Sequence, residues 1–299
     1  MFSLVASIYR AVVPESIRAK LLERRKTRRV EKLKQEIVSY YSTLPASEIS
    51  EEKKAVLDYL KKNSLHVFPY EFQKKYEPGS VKVNSDSSGL KYVLHEGKKL
   101  YFKKSWSEAR IQDSYSFLSC EQHIDSPHRY LTNEFYLEDN SIVADAGAAE
   151  GIFALGLVEK IKHLYLFETD PEWIAALEQT YKPWKEKVTI VNKFVSNRND
   201  GQHVSLDNYF KNKPGIDFLK VDVDGAETDL LEGAKEILKS NKKLKLALCT
   251  YHRQQDEQLF GDLLRKFGFT VSTSSGYMLF SEGNFAPPYL RRGLIRAVK

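Results

Sequence analysis

Cysteine is almost missing from this chain. Cys120 and Cys249 are the only two in 299 residues. They lie far apart and form no CxxC pair, so no disulfide framework holds the fold and a reducing, cytoplasmic setting is the natural one. Long apolar runs are missing too: none approaches the roughly 18 to 20 residues that a membrane-spanning helix needs. The leading stretch Met1–Val13 is fairly apolar, but it has no basic leading segment and is interrupted by Arg10, which argues against a secretory signal. Leu4, Val5, Ile8 and Val12 fall at helical spacing there and predict an amphipathic helix. Repeats and low-complexity tracts are absent.

Excess charge is absent outside one segment. Arg18 to Lys34 holds nine Lys or Arg against Glu23 and Glu31, a balance of +7 in a chain of net charge +6, which leaves −1 for the remainder. No aromatics interleave these cations. The segment therefore reads as a solvated helix face or as an electrostatic dock for anionic lipid headgroups, with nucleic acid a weaker partner and peripheral attachment to the inner face of a membrane an expectation.

Three regions follow in order. Residues 1–62 read as a basic helical lobe, broken at Leu44-Pro45 and restarted by Ser47-Glu-Ile-Ser-Glu-Glu52. Residues 63–140 contain two short strand-like runs, Lys91–His95 and Lys98–Phe102, about a Glu96-Gly97 turn. From residue 141 to 299, strand-like and helical runs alternate. The strands are expected at Ser141–Asp145, His163–Glu168, Val188–Asn192, Ile216–Asp222 and Lys245–Thr250. The helices are expected at Ile152–Ile161, Glu172–Tyr181, Glu227–Lys239 and Asp256–Phe267. This predicts an α/β fold with a mostly parallel, Rossmann-like seven-stranded sheet. Phe269–Thr273, Ser274-Ser-Gly276 and Tyr277–Phe280 read as a closing antiparallel hairpin.

Asp145-Ala-Gly-Ala-Ala-Glu-Gly151 follows an apolar strand and opens a helix, the setting in which a glycine-rich turn brings backbone close to a ligand. A nicotinamide fingerprint would need glycines at 149 and 152, where Ala and Ile stand, so a dinucleotide oxidoreductase is disfavoured. The spacing fits the D-x-G-x-G-x-G loop of methyltransferases with its middle glycine replaced by alanine. Glu168, twenty-one residues after Gly147, stands where a carboxylate accepts from the ribose hydroxyls of an adenosine. The expected cofactor contacts are Asp145, Gly147, Ala148, Glu150, Gly151, Glu168, Thr169, Ser196 and Asp222.

The run Phe218-Leu-Lys-Val-Asp222-Val-Asp-Gly-Ala-Glu227, with Leu230-Leu-Glu-Gly-Ala234 after it, resembles the signature of the FkbM family of methyltransferases. Asp145-Ala-Gly-Ala, Leu166-Phe-Glu168 and Ser205-Leu-Asp207 resemble that family's other motifs, in the right order. The resemblance spans about Ser141 to Phe269 and implies a class I methyltransferase fold, S-adenosyl-L-methionine as cofactor, and O-methylation of a hydroxyl-bearing acceptor such as a surface polysaccharide or glycolipid precursor. Many members carry a glutamate on the strand before a histidine; here that segment is Cys249-Thr-Tyr-His-Arg253, so no role passes from that glutamate.

Direct methyl transfer needs alignment and a dry site more than many catalytic groups, with a base to activate a hydroxyl. Asp222 and His252 each follow a strand end at the ligand crevice and are the candidate bases. His128, Arg129, Tyr251 and Arg253 are candidate acceptor contacts. No metal is required, although Asp222, Asp224 and Glu227 offer hard oxygen ligands for Mg²⁺. Two rival readings are weighed: an RNA methyltransferase, suggested by Ala286-Pro-Pro-Tyr289, and a non-catalytic module docking through the basic helix and the tail Arg291–Arg296.

Overall fold

The computed structural model describes residues 15–280 and 285–299; the amphipathic segment expected at Met1–Val13 lies outside the described residues. The chain opens with the long helix α1 (Glu15–Ser42) and α2 (Glu51–Lys62). Helix α2 starts at Ser50, whose side chain accepts from the Lys53 amide, with Glu51 and Glu52 in the first turn, so the expected helix start is found at its last hydroxyl. No described helix is long and apolar enough to cross a membrane.

The middle region is a small antiparallel sheet, β1 (Asn84–Ser85), β2 (Lys91–His95) and β3 (Lys98–Tyr101), followed by α3 (Glu108–Glu121). Glu96 and Gly97 both take positive φ in the two-residue turn between β2 and β3, the geometry that matches the strands' right-handed twist.

The main domain is one seven-stranded sheet. Its strands are β4 (Ile142–Ala146), β5 (His163–Phe167), β6 (Val188–Val191), β9 (Phe218–Val221), β10 (Lys245–Cys249), β11 (Thr270–Thr273) and β12 (Leu294–Val298), in the order β11-β12-β10-β9-β4-β5-β6. The short pair β7 (Phe194–Val195) and β8 (His203–Val204) forms a separate ribbon beside it. All pairings among β4, β5, β6, β9 and β10 are parallel, as their near-continuous apolar runs require, and two buried cores cover the two faces. The helices are α4 (Ile152–Leu155), α5 (Pro171–Thr180), α6 (Leu206–Phe210), α7 (Glu227–Glu232), α8 (Lys235–Ser240) and α9 (Asp256–Lys266).

Two helical expectations are shortened. Ile152–Ile161 is helical only to Leu155, and Gly156 gives the Glu96 carboxylate a close approach, 3.1 Å from where a Cβ would stand. Glu227–Lys239 is broken at Gly233, because a side chain there would lie 2.0 Å from the Ser196 carbonyl oxygen.

The sheet closes on an antiparallel pair as expected, but β11 pairs with β12 and not with Tyr277–Phe280. That segment leaves the sheet: Met278 bridges Arg291, and the Leu279 amide donates to the Val67 carbonyl at 2.9 Å. The strand that fills the gap between β10 and β11 comes from the chain's last residues, where Leu294, Ile295 and Ala297 are fully buried. The tail Arg291–Arg296 is therefore interior structure. Arg292 pairs with Glu52 at 2.7 Å, and Arg296 donates to the Arg129 and Tyr130 carbonyls. A chain ending at Phe280 loses the strand on which both β10 and β11 pair, and is expected to show no cooperative thermal transition by circular dichroism. A cooperative melt from that truncation would restore the hairpin reading.

Candidate active site

Asp145 and Lys220 are register partners on β4 and β9, so their side chains leave the sheet side by side. The Lys220 ammonium donates to Asp145 Oδ1 at 2.8 Å and to the Gly147 carbonyl at 2.8 Å, with both side chains buried. Burial works against the charge on Lys220, but Asp145 and Asp222 outweigh it and hold its proton more firmly than usual. The loop then turns at Gly147, at φ +76°, where an added Cβ would sit 1.8 Å from the Asp222 carbonyl oxygen. Only glycine fits this crossing of two backbones.

Two hollows flank Gly147 and share it with Asp222. One, of about 180 Å³, is lined by Asp145, Ala148, Glu150, Lys220 and, from outside the sheet domain, Glu121 and Tyr130. The other, of about 320 Å³, is lined by Phe167, Glu168, Thr169, Val195, Ser196 and Asp224. The first is crowded with carboxyl groups. Burial raises Asp145, pushes Glu150 up to about 7, and with Asp222 and Glu150 as neighbours carries Glu121 well up. Asp145 Oδ2 is buried without a hydrogen-bond partner among the described residues. Such a pocket suits a positively charged group, as the amino end of S-adenosylmethionine is.

Glu168 is more heavily engaged than the sequence implied. Oε1 accepts from the Thr169 and Asp170 amides at 2.6 and 2.8 Å, and Oε2 from the Ala149 amide at 2.9 Å. With two lone pairs per oxygen, Oε2 keeps room for one ribose hydroxyl instead of the expected pair. Gly151, expected to touch cofactor, is also tightly packed: a Cβ there would lie 2.7 Å from Leu177 Cδ2 and 2.9 Å from Tyr181 Cε2.

Asp222 accepts the Tyr251 hydroxyl on Oδ1 at 3.0 Å and the Tyr130 hydroxyl on Oδ2 at 2.9 Å. Burial alone would raise it, but the Lys220 ammonium above all holds it below the usual carboxylate range. His252 has a 7% exposed side chain. Its Nδ1 lies 2.9 Å from Oε1 of the buried Glu227, which also accepts from the Val223 and Gly225 amides, and its Nε2 faces Asp222 Oδ1 at 3.7 Å. Burial would lower this imidazole, yet Glu227 and then Asp222 and Asp224 outweigh it and raise it. Ligand atoms of Asp222, Glu227 and His252 fall within 4.8 Å of one another, so a cation cluster here includes the histidine in place of the exposed Asp224.

The other acceptor candidates divide. Tyr251 reaches the centre. His128 is fully buried, 3.6 Å from Cys249 Sγ and 3.8 Å from Asp222, and burial pushes it down to about 4, which makes it a neutral core neighbour. Arg129 is turned away to donate to the Leu131 carbonyl at 2.7 Å, and Arg253 donates to the Gly225 carbonyl at 2.7 Å. The segment Ser126–Tyr130 was expected as a lid or acceptor wall, and Tyr130 does reach Asp222; sequence reasoning passed over Lys220 and Glu121 as site residues, and also Arg291, whose Nη1 donates to the Tyr251 and His252 carbonyls at 2.6 and 2.7 Å. Lys220 stood inside the quoted motif as a polar break in an apolar strand, a signal that was available. Tyr130 and Arg291 reach the site only through tertiary packing.

Residues 196–277 match the model of the methyltransferase FkbM domain. No curated protein matches the chain. Among solved structures, an FkbM methyltransferase from Methylobacillus flagellatus is similar at 16% identity and a TM-score of 0.45, over 64% of this chain and 53% of that one, so this chain aligns to about half of its length. A precorrin-6y C5,15-methyltransferase from Geobacter metallireducens is similar at 15% identity and a TM-score of 0.39, over 55% of this chain and 83% of that one. A putative methyltransferase from Streptococcus mutans, in complex with S-adenosylhomocysteine, is similar at 15% identity and a TM-score of 0.34, over 55% of this chain and 91% of that one.

Two measurements test the cradle. Lys220→Met leaves Asp145 and Asp222 buried without their cation and is expected to cost about 3 to 5 kcal/mol of stability, read from denaturant unfolding; a loss below about 1 kcal/mol would show the ammonium to be dispensable. Glu168→Ala is expected to weaken S-adenosylhomocysteine binding by about 1 to 3 kcal/mol in calorimetry, and an unchanged affinity refutes the ribose contact. Residues 196–277 thus carry the methyltransferase FkbM domain match, and the Asp145–Gly151 loop lies beside it in the same sheet.

Proposed function

We propose that this chain methylates a hydroxyl group of a carbohydrate-type acceptor, such as a surface polysaccharide or glycolipid precursor. The observation that carries the reading is the His252–Glu227 pair at the exit of β10, with Nε2 directed at the carboxylate that borders both hollows. When bound, S-adenosylmethionine supplies a methyl carbon already activated by its positive sulfonium. The neutral acceptor hydroxyl is the weak partner, and a base that removes its proton accelerates reaction by about 10² to 10⁴.

His252 is that base. Nδ1 lies 2.9 Å from the Glu227 carboxylate and Nε2 faces Asp222, so Nε2 is the nitrogen that takes the proton, while Asp222 stays ionised under its two tyrosine hydroxyls and positions the site. Tyr251 and Phe280, with ring centroids 4.8 Å apart, add an aromatic flank beside these polar groups, a mixed surface of the kind a sugar ring packs on. The RNA alternative loses its motif. Ala286–Tyr289 packs against α1, where the Tyr289 ring meets Tyr40 at 5.7 Å, and takes no part in the site at Asp222.

The test is a pH profile. Turnover is expected to rise with pH through the raised His252 pKa, above the ordinary value near 6.5. Glu227→Gln removes the charge that stabilises the imidazolium, so the rising limb should move to lower pH. His252→Gln should cut turnover about 10² to 10⁴-fold with S-adenosylhomocysteine affinity kept. Full activity in that variant, or label transferred to RNA and not to glycan precursors, would end this reading.

A further inference from the structure

The second half of α1 is anchored: Ile37 and Tyr41 are buried against Val56, Leu60 and Leu290. The first half is different. Arg24, Arg25, Arg28, Arg29 and Lys32 are all exposed, and at 3.6 residues per turn they lie within an arc of about 140°. The helix runs for 28 residues, which is about 42 Å. A basic stripe from Arg24 to Lys32 carries much of the positive charge of a chain that is otherwise close to neutral.

We propose that this face of α1 docks on an anionic lipid bilayer. Three observations favour a membrane over nucleic acid. The stripe contains no aromatic side chain on which bases would stack. The residues that precede the helix in sequence include Phe2, Leu4, Val5, Ile8, Tyr9, Val12 and Val13, with Arg10 the one charge among the first thirteen. Apolar residues next to a polybasic stretch are the two signals that together give stable peripheral attachment, since either alone binds weakly. Finally, the other basic run, Arg291–Arg296, is spent on internal contacts, so the long-range positive field comes from α1. The inference does not depend on the acceptor or on His252.

The test uses the full chain and sedimentation with vesicles of phosphatidylcholine alone or of equal parts phosphatidylcholine and phosphatidylglycerol. Binding is expected with the mixed vesicles only and should weaken as salt rises. A variant with Arg24, Arg25, Arg28 and Arg29 all changed to Gln should lose partitioning about 100-fold or more. Its thermal midpoint and S-adenosylhomocysteine affinity should stay unchanged, because these side chains face solvent. Equal partitioning to neutral vesicles, unaltered partitioning of the variant, no sedimentation of the parent, or retention of the parent by RNA without binding to vesicles would each overturn the proposal.

Discussion

The buried ammonium of Lys220 is the contact on which the site depends. Moving one such ion out of water costs several kcal/mol even after relaxation, so it persists only because Asp145 and Asp222 surround it and the Gly147 carbonyl takes a further hydrogen bond. The consequence is geometric. One side chain ties the carboxyl-terminal ends of β4 and β9 together and fixes the first carbonyl of the cradle. Gly147 then lets the Asp222 backbone pass where a side chain would stand, so the loop and the exit of β9 take their positions as a pair. The Asp222 amide confirms the tie by donating to the Ala146 carbonyl at 3.1 Å.

The regions outside the sheet complete this centre from three sides. Tyr130 comes down from the segment before β4, Tyr251 from the exit of β10, and Arg291 from the turn before β12. Arg291 matters through the backbone: by gathering the Tyr251 and His252 carbonyls it sets the course of the loop that carries the imidazole. The stretch that delivers Arg291 is itself fastened to the amino-terminal lobe and to the segment that follows it. Gly276 donates to Glu52, Tyr277 to the Tyr70 hydroxyl, and Leu279 to Val67. The amino-terminal lobe therefore supports the active-site loop, which explains why the sheet does not end in a simple hairpin.

Much of this was legible in the sequence because strands buried on both faces write themselves as short apolar runs. β4, β5, β6, β9 and β10 each lie within a residue or two of their expected positions. The cradle was legible from its turn chemistry, and even its odd residue makes sense: Ala149 takes φ +46° in place of a glycine, a strain of about 1 to 2 kcal/mol offset in part by its amide donating to Glu168. What failed was long-range. β12 lies twenty residues beyond its partner β11, and periodicity carries no information about which strand a strand will join. Motif residues also proved to be partly scaffold. Ser205 caps α6, and Asp207 caps α8 by accepting from the Glu236 and Ile237 amides at 2.9 Å, roles that chemistry alone would not separate from ligand binding.

The sequence left Asp222 and His252 as equal candidates for the base; their surroundings separate them. Both are largely, though not fully, buried, which disfavours charge on each, so neighbours decide. Asp222 stands beside the Lys220 ammonium and accepts two phenolic hydroxyls, which favour its ionised form and reduce its appetite for a proton. His252 stands among Glu227, Asp222 and Asp224, and these raise its appetite. Two titratable groups 3.7 Å apart are thus driven in opposite directions, the pattern by which one site assigns fixed charge to one residue and proton transfer to the other. Glu227 adds charge beside Nδ1, at 2.9 Å, while Nε2 is the ring nitrogen that faces Asp222. In the proposed reading the carboxylate is therefore the anchor and the imidazole the base: Asp222, ionised beside Lys220, has little affinity for a proton, whereas the neutral imidazole of His252 gains one in the field of three carboxylates.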